Sequence, residues 1–353
     1  MTRLRIGVSG AGSIANMHLK SYAANPDVVL VGIYDKNPER AREKAERFGV
    51  VHAVETLEAL LSRDDIDAVS ICTWNDSHAE LAIAALDAGK HVLVEKPLST
   101  TVAEAEAIVE AAKRSGTKVQ VGFVRRFSNN AKVLKTFVDA GELGEIYFAK
   151  ATNLRRIGNP GGWFADHARS GGGPLIDIGV HVLDLCWYMM GSPKATTVSG
   201  VVDSRLGNRA NVTNLARYKV ADYDPELSDV EDLATALIRF ENGASILLDT
   251  SYSLHASADR LAVSIYGDHG GADLEPELRI VTELHDTVLN ISPQVDLLTF
   301  DFDEGFQNEI DHFVALCLGE AADIAPIEHG LEMMRILAAI YESAAQGREI
   351  ALD

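Results

Sequence analysis

The sequence predicts an α/β protein: an N-terminal Rossmann-type doubly wound parallel sheet, then a C-terminal α+β domain with an open, mostly antiparallel sheet. Three observations carry this. The first third alternates short, nearly all-apolar stretches with helix-like ones, which is the pattern of strand–helix–strand units. Past about Val124 consecutive strands replace that alternation. The chain has 353 residues, enough for two domains with separate cores.

In the first region Leu4 to Val8 forms a short strand. Val28 to Tyr34 (VVLVGIY) has the continuous apolar character of a parallel strand covered on both faces. Ala68 to Cys72, His91 to Val94 and Lys118 to Gly122 repeat it. Helices are expected over Ser13 to Ala24, Pro38 to Phe48, Ser77 to Ala88 and Val102 to Ser115. Asn37 before Pro38 is a good N-cap followed by proline at the first helical position. Gly49, Gly89 and Gly116 stand where a left-handed residue ends a helix.

The domain division is placed at 1–124 and 125–353. In the second part a helix over Asn129 to Ala140 leads to a strand over Gly144 to Leu154. A helix over Pro174 to Met190 follows Gly171-Gly172-Gly173. Leu233 to Phe240 and Ala244 to Tyr252 flank Asn242-Gly243, a strong hairpin signal. Further strands are expected at Leu261 to Tyr266 and Val295 to Phe302, and closing helices at Glu304 to Leu318 and Ile327 to Ala345. The acidic stretch Ala221 to Asp232 has the composition of a solvated loop.

Hydrophobic residues make up 47% of the chain and charged residues 24%, as in ordinary globular domains. The net charge of −20 disfavours nucleic acid and anionic membrane as partners. A local cradle of backbone N–H groups can still hold a small anionic cofactor against that distant charge. No apolar run is long enough to span a bilayer, and the N-terminus lacks the features of a signal peptide. The three cysteines, Cys72, Cys186 and Cys317, suggest neither a disulfide framework nor a zinc site. A reducing compartment, the cytoplasm, is expected.

Gly10-Ala11-Gly12-Ser13-Ile14-Ala15 follows the first strand and opens the first helix. Gly10 permits the tight turn, Gly12 a close approach of pyrophosphate, and Ala15 close helix–strand packing. Asp35 ends the second strand about 20 residues on, where a carboxylate meets ribose hydroxyls and repels a 2′-phosphate. NAD is therefore the expected cofactor, and the neighbouring Lys36 leaves NADP open. Lys96, in Glu95-Lys96-Pro97 after a strand end, stands where this sheet type places ligands. Asp177 and His181, at i and i+4, share a helix face, and a histidine beside a carboxylate is suited to accept an alcohol proton. Asp184 is an alternative partner for His181. His18, His78 and His167 are each better explained structurally, and no cluster has convincing metal-ligand spacing along the chain.

These motifs occur in one order: Gly10 to Ala15, Thr73-Trp74-Asn75-Asp76-Ser77-His78, Glu95-Lys96-Pro97, Gly122 to Phe127, and Gly171 to Asp184. In that order the chain resembles, over nearly its whole length, the glucose–fructose oxidoreductase/inositol dehydrogenase/rhizopine catabolism (Gfo/Idh/MocA) family. The resemblance implies an NAD(P)-dependent dehydrogenase that oxidises a secondary hydroxyl of a sugar, inositol or related polyol. It implies His181 as acid/base, Lys96 polarising the substrate oxygen, and Asp177 positioning both. It implies that Ser13, Ile14, Thr73, Trp74, Asn75, His78, Glu95, Arg125 or Arg126, and Trp163 line the cofactor or cleft. Asn153, Arg155 and Tyr252 are further candidates for polyol contacts. Trp74 stands where the family usually has proline, which alters the expected loop beside the nicotinamide. A homodimer or homotetramer through the C-terminal sheet is implied too. An NAD-dependent glycoside hydrolase with a transient redox cycle and a non-catalytic nucleotide-binding regulator are the alternatives.

Overall fold

The structure, a computed structural model, describes residues 3–206, 212 and 228–352. The chain forms two compact units, Met1–Phe127 with Phe302–Leu331, and Ser128–Asp301 with Glu332–Asp353.

The first unit begins β1 (Leu4–Ser9), α1 (Ala15–Ala24), β2 (Val28–Tyr34), α2 (Pro38–Phe48), β3 (His52–Val54), α3 (Leu57–Leu61), β4 (Ala68–Ile71), α4 (His78–Asp87), β5 (His91–Glu95), α5 (Val102–Ser115) and β6 (Val119–Gly122). All pairings are parallel in the order β3-β2-β1-β4-β5-β6, so the sheet reverses direction of growth between β1 and β4. Ligands bind such sheets at the carboxyl ends of the strands beside that switch. Local signals agree with the sheet. Asn37 accepts the N–H groups of Glu39 and Arg40, Gly49 closes α2 at φ 70°, and Thr101 and Glu104 form a capping box on α5. Ile6, Val8, Leu19, Ile33 and Leu93 are fully buried, each contributing roughly 1.5–3 kcal/mol by leaving water.

The second unit begins α6 (Asn129–Asp139), β7 (Ile146–Leu154), α7 (His167–Ser170), α8 (Val180–Met189), β8 (Ala195–Asp203), β9 (Leu233–Phe240), β10 (Ser245–Ser251), β11 (Arg260–Gly267), β12 (Gly270–Glu275), β13 (Arg279–Leu284) and β14 (Thr287–Ile291). The last elements are α9 (Phe302–Leu318), α10 (Ile327–Gln346) and β15 (Ile350–Ala351). The second sheet runs β14-β13-β12-β11-β7-β10-β9-β8-β15 and is antiparallel except where β7 meets β10. The Asn242-Gly243 hairpin forms: Gly243 takes φ 83° and β9 pairs with β10 from Arg239–Ser245 to Leu233–Ser251. Ala234, Ala236, Ile238 and Phe240 bury alternate positions of β9, the period of a strand with one covered face. Helix α8 packs on β7 and β11.

Three expectations change. The helix expected unbroken from Pro174 to Met190 opens with a π-helical turn over Leu175–Gly179 before α8. The strand expected at Val295 to Phe302 does not form; the segment is irregular, Phe302 starts α9, and the Leu298 carbonyl accepts the Leu278 N–H. Of the acidic stretch, residues 221–227 lie outside the described residues. Val230, Glu231 and Asp232 are buried rather than solvated, because their polar atoms find backbone partners. Phe302–Leu331 packs in the first unit, where Ile310, Phe313 and Val314 of α9 complete the core around Leu4, Leu19 and Tyr22.

Candidate active-site residues

In the first unit the chemistry-bearing residues gather at the carboxyl ends of β1, β2, β4 and β5. Gly10 adopts φ 96° and donates its N–H to the Tyr34 carbonyl at 2.8 Å. A Cβ there would lie 2.5 Å from the Cys72 carbonyl oxygen, so only glycine fits the crossing of this loop and β4. Gly12 is the opposite case: a Cβ there would meet no protein atom within 4 Å. Ser13 is exposed and Ile14 half-buried at the start of α1. Asp35 is held by two backbone donors, Ala11 N–H at 2.7 Å and Asn37 N–H at 2.8 Å, while Lys36 is exposed. The chain thus presents an open glycine, a helix N-terminus and a fixed carboxylate, a combination that fits the pyrophosphate and ribose of a dinucleotide.

The next two motifs are tied together. His78 is fully buried; its Nδ1–H donates to the Pro97 carbonyl at 2.7 Å, and Nε2 lies 3.3 Å from the Thr73 carbonyl oxygen. Burial lowers its pKa, so the ring is a neutral clamp between the Thr73 loop and the Lys96-Pro97 turn. Thr73 accepts the Ser77 hydroxyl at 2.8 Å, Asn75 is buried, and Trp74, in the unusual position, is 41% exposed. Glu95 is buried, with one carboxylate oxygen accepting His18 Nε2–H at 2.8 Å and the other the Lys96 backbone N–H at 3.2 Å. Lys96 is half-buried and the Lys96-Pro97 peptide is cis. Of the two arginines, Arg125 is half-buried and Arg126 is structural. The Arg126 guanidinium is buried, donates to the Ile324 carbonyl at 2.6 Å and to His329 Nδ1 at 2.8 Å, and lies over the Phe123 ring.

In the second unit Asp177 sits in the π turn and His181 is the second residue of α8, both half-buried. Such a turn changes the simple i, i+4 stacking of an α-helix, and π turns recur at functional sites. Tyr252 is buried, and its hydroxyl donates to Asp177 Oδ2 at 2.9 Å. Burial, reinforced by the Asp177 carboxylate, pushes the Tyr252 hydroxyl well above its ordinary pKa, so it remains the donor. Asn153 Nδ2 reaches the Ile178 carbonyl at 3.4 Å, and the Arg155 backbone pairs with Ser251, which keeps both residues in the same neighbourhood as Tyr252. Trp163 stacks on Phe164 in a short 3-10 turn, His167 is exposed, and Asp184 is buried.

Glu231 and Tyr341 were not singled out from the sequence. The Glu231 carboxylate accepts the N–H groups of Gly173 at 2.8 Å and Leu175 at 3.1 Å, together with the Tyr341 hydroxyl at 2.9 Å. It caps the π turn that carries Asp177 from outside the helix, where local capping rules cannot see it. The one signal was Glu231 two residues ahead of an alternating strand. His18, Glu95 and Glu309 also come together, their ligand-type atoms all within 4.8 Å of one another, although sequence spacing shows no such cluster.

Residues 4–123 match the model of an oxidoreductase family with an NAD-binding Rossmann fold, and residues 135–352 match that family's C-terminal alpha/beta domain. The D-glucoside 3-dehydrogenase of Escherichia coli (strain K12) is 32% identical over 352 residues, covering 99% of this chain and 97% of the relative. The inositol 2-dehydrogenase of Rhizobium meliloti (strain 1021) is 26% identical over 354 residues, covering 99% of both chains. A solved levoglucosan dehydrogenase in complex with NADH and levoglucosan superposes with a TM-score of 0.85 at 26% identity, covering 99% of each chain. The glycine loop, the Glu95-Lys96-Pro97 turn and the Asp177/His181 segment are thus carried by a chain that belongs to the Gfo/Idh/MocA oxidoreductase family.

Proposed function

We propose that this protein is an NAD-dependent dehydrogenase that oxidises a secondary hydroxyl of a sugar or related polyol. The observation that supports it most is the loop at Gly12, open toward no protein atom and flanked by the fixed Asp35 carboxylate. The relatives named above act on a glucoside, an inositol and an anhydrosugar, which supports the substrate class. Bound NAD supplies the hydride acceptor. His181 takes the hydroxyl proton as the carbinol carbon gives up its hydride. The Lys96 ammonium steadies the negative charge developing on the substrate oxygen. Asp177, held by the Tyr252 hydroxyl, orients the substrate hydroxyls. Asn153 and Arg155 contribute further polyol contacts. Thr73, Trp74, Asn75, Arg125 and Trp163 line the nicotinamide side.

The test is a panel of polyols, inositols, aldoses, glucosides and anhydrosugars with NAD and NADP, followed by the absorbance of the reduced nicotinamide. Net reduction with at least one member is expected; glycoside cleavage without net reduction would reassign the protein as a hydrolase. Lys96→Ala and His181→Asn should each lower kcat by about 100-fold or more while NAD still binds. Near-normal turnover in either removes that residue's role. Asp35→Ser should narrow the preference for NAD over NADP, and an unchanged ratio would free Asp35 of contact with the ribose. We also place the protein in the cytoplasm as a dimer or tetramer through the second sheet, a state that light scattering measures directly. No helix among the described residues is long and apolar enough to cross a membrane.

A further inference from the structure

Behind the Lys96 turn lies a buried group of ionisable side chains that the proposed reaction does not use. His18 comes from α1, Glu95 from the end of β5 and Glu309 from α9. His18 and Glu309 are 0% exposed and Glu95 is 7% exposed. His18 Nε2–H donates to Glu95 Oε1 at 2.8 Å, and its Nδ1 lies 3.4 Å from the Ser70 hydroxyl, which in turn pairs with the Tyr22 hydroxyl at 2.7 Å. The second Glu95 oxygen accepts the Lys96 backbone N–H. Glu309 differs from its neighbours: both its carboxyl oxygens are buried and neither has a hydrogen-bond partner. The Phe306 ring closes one side of His18, and Gly122 leaves room for Glu95, since a Cβ there would stand 3.3 Å from Oε2.

Charge decides the protonation of this group. An imidazolium on His18 and a carboxylate on Glu95 neutralise each other. A second carboxylate on Glu309 would then be an uncompensated buried charge, which costs several kcal/mol in such a setting. Burial and the adjoining Glu95 carboxylate push Glu309 well above the carboxylate range. Burial opposes charge on His18, and the Glu95 carboxylate that accepts its Nε2–H at 2.8 Å offsets that cost. Burial also pushes Cys72 up, so the thiol stays neutral, and Tyr22 remains a phenol for the same reason. From α4, His78 also feels the Glu95 carboxylate, and burial keeps its ring neutral.

We propose that His18, Glu95 and Glu309 form a buried support that carries two protons, one on His18 and one on Glu309, and that it acts on the reaction by fixing the Glu95 carboxylate against the Lys96 backbone. His18, Glu95 and Glu309 are then positioning residues for Lys96. The inference rests on Lys96 having the role given under the proposed function.

The protonation is tested on the whole protein by an infrared difference spectrum, wild type minus Glu309→Gln, at about pH 8. The carbonyl stretch of a protonated carboxylic acid is expected in it. Its absence overturns the proposal, and so does one equivalent of a divalent metal in the purified wild-type protein, because an ion would then take the place of the protons. The positioning role is tested by kinetics. Glu309→Ala should lower kcat roughly tenfold, and the neutral isostere Glu309→Gln should recover most of that loss. His18→Gln should lower kcat at least tenfold while the Kd for NAD stays within about threefold. Normal kcat in His18→Gln, or no recovery in Glu309→Gln, overturns the role. If His18→Gln fails to fold, the spectrum and the Glu309 pair still decide. Lys96→Ala is assayed alongside. A fully active Lys96→Ala refutes the reading of Lys96, whereas an inactive Lys96→Ala beside a normal His18→Gln refutes only the support.

Discussion

Two glycine runs, Gly10 to Gly12 in the first unit and Gly171 to Gly173 in the second, stand ahead of helices and look alike in sequence. Backbone closes on Gly10 in the first run too, but the causes at Gly12 and at Gly172 and Gly173 are opposite. A Cβ on Gly12 would enter space that no protein atom fills, whereas a Cβ on Gly172 would lie 2.0 Å from the Tyr341 hydroxyl and one on Gly173 2.4 Å from the Glu231 carbonyl oxygen. Gly172 also takes φ 152°, a conformation closed to other residues. One loop is small so that a ligand can approach. The other is small so that the protein can close on it, bringing Glu231 to the backbone of the turn that carries Asp177. A glycine-rich loop ahead of a helix therefore specifies close approach, and the partner that approaches is a separate fact.

That difference can be broken or sharpened by substitution. The largest effect is expected from Gly173→Ala, which must displace backbone. Overpacking of this kind costs about 3 kcal/mol, or roughly 6–12 °C in Tm for a domain of this size. An unchanged Tm would mean that the Glu231 contact is not tight. Gly12→Ala should leave Tm unchanged or slightly raised, because alanine narrows the unfolded ensemble and clashes with nothing. Its NAD affinity should fall about tenfold or more, since backbone contacts to a charged phosphate are worth about 1.5–3 kcal/mol. Calorimetric titration measures it, and full affinity would remove the cofactor from that loop. Tyr252→Phe takes one hydrogen bond from the Asp177 carboxylate, a loss of about 1.5 kcal/mol or roughly tenfold in kcat/KM. An unchanged kcat/KM would show that Asp177 is oriented by other contacts.

The smallest effect concerns acid. His329 must be neutral to accept from Arg126, and burial together with that guanidinium holds its pKa down at about 4. A histidine depressed in the folded state gives stability that is complete above the unfolded value near 6.5 and is lost as pH falls through the folded value. His329→Gln should therefore flatten the fall of Tm between about pH 6.5 and 4 by a few degrees. An identical slope would show that the ring is already charged in the fold.

Much of this protein was legible along the chain because its causes are local. Apolar runs fixed the strands of the parallel sheet, Asn37 and Thr101 started helices, and Asn242-Gly243 turned a hairpin. The positions of Gly10, Asp35 and Lys96 follow from strand ends, so they too are local in origin. The weakly patterned strands β12 to β14 were missed, since their residues pair with partners whose position no local rule supplies. The strand expected at Val295 to Phe302 failed for the converse reason, a fitting pattern without a neighbouring strand to pair with. Tertiary structure alone decided that α9 completes the core of the first unit and brings Glu309 to His18 and Glu95 from more than 200 residues away. It likewise decided that Glu231, in a stretch acidic enough to seem solvated, is buried against the backbone N–H groups of Gly173 and Leu175. The physical reason is the same in both cases. Periodicity and caps act over a few residues, whereas the cost of a buried charge is met only by whatever partner the completed fold brings to it.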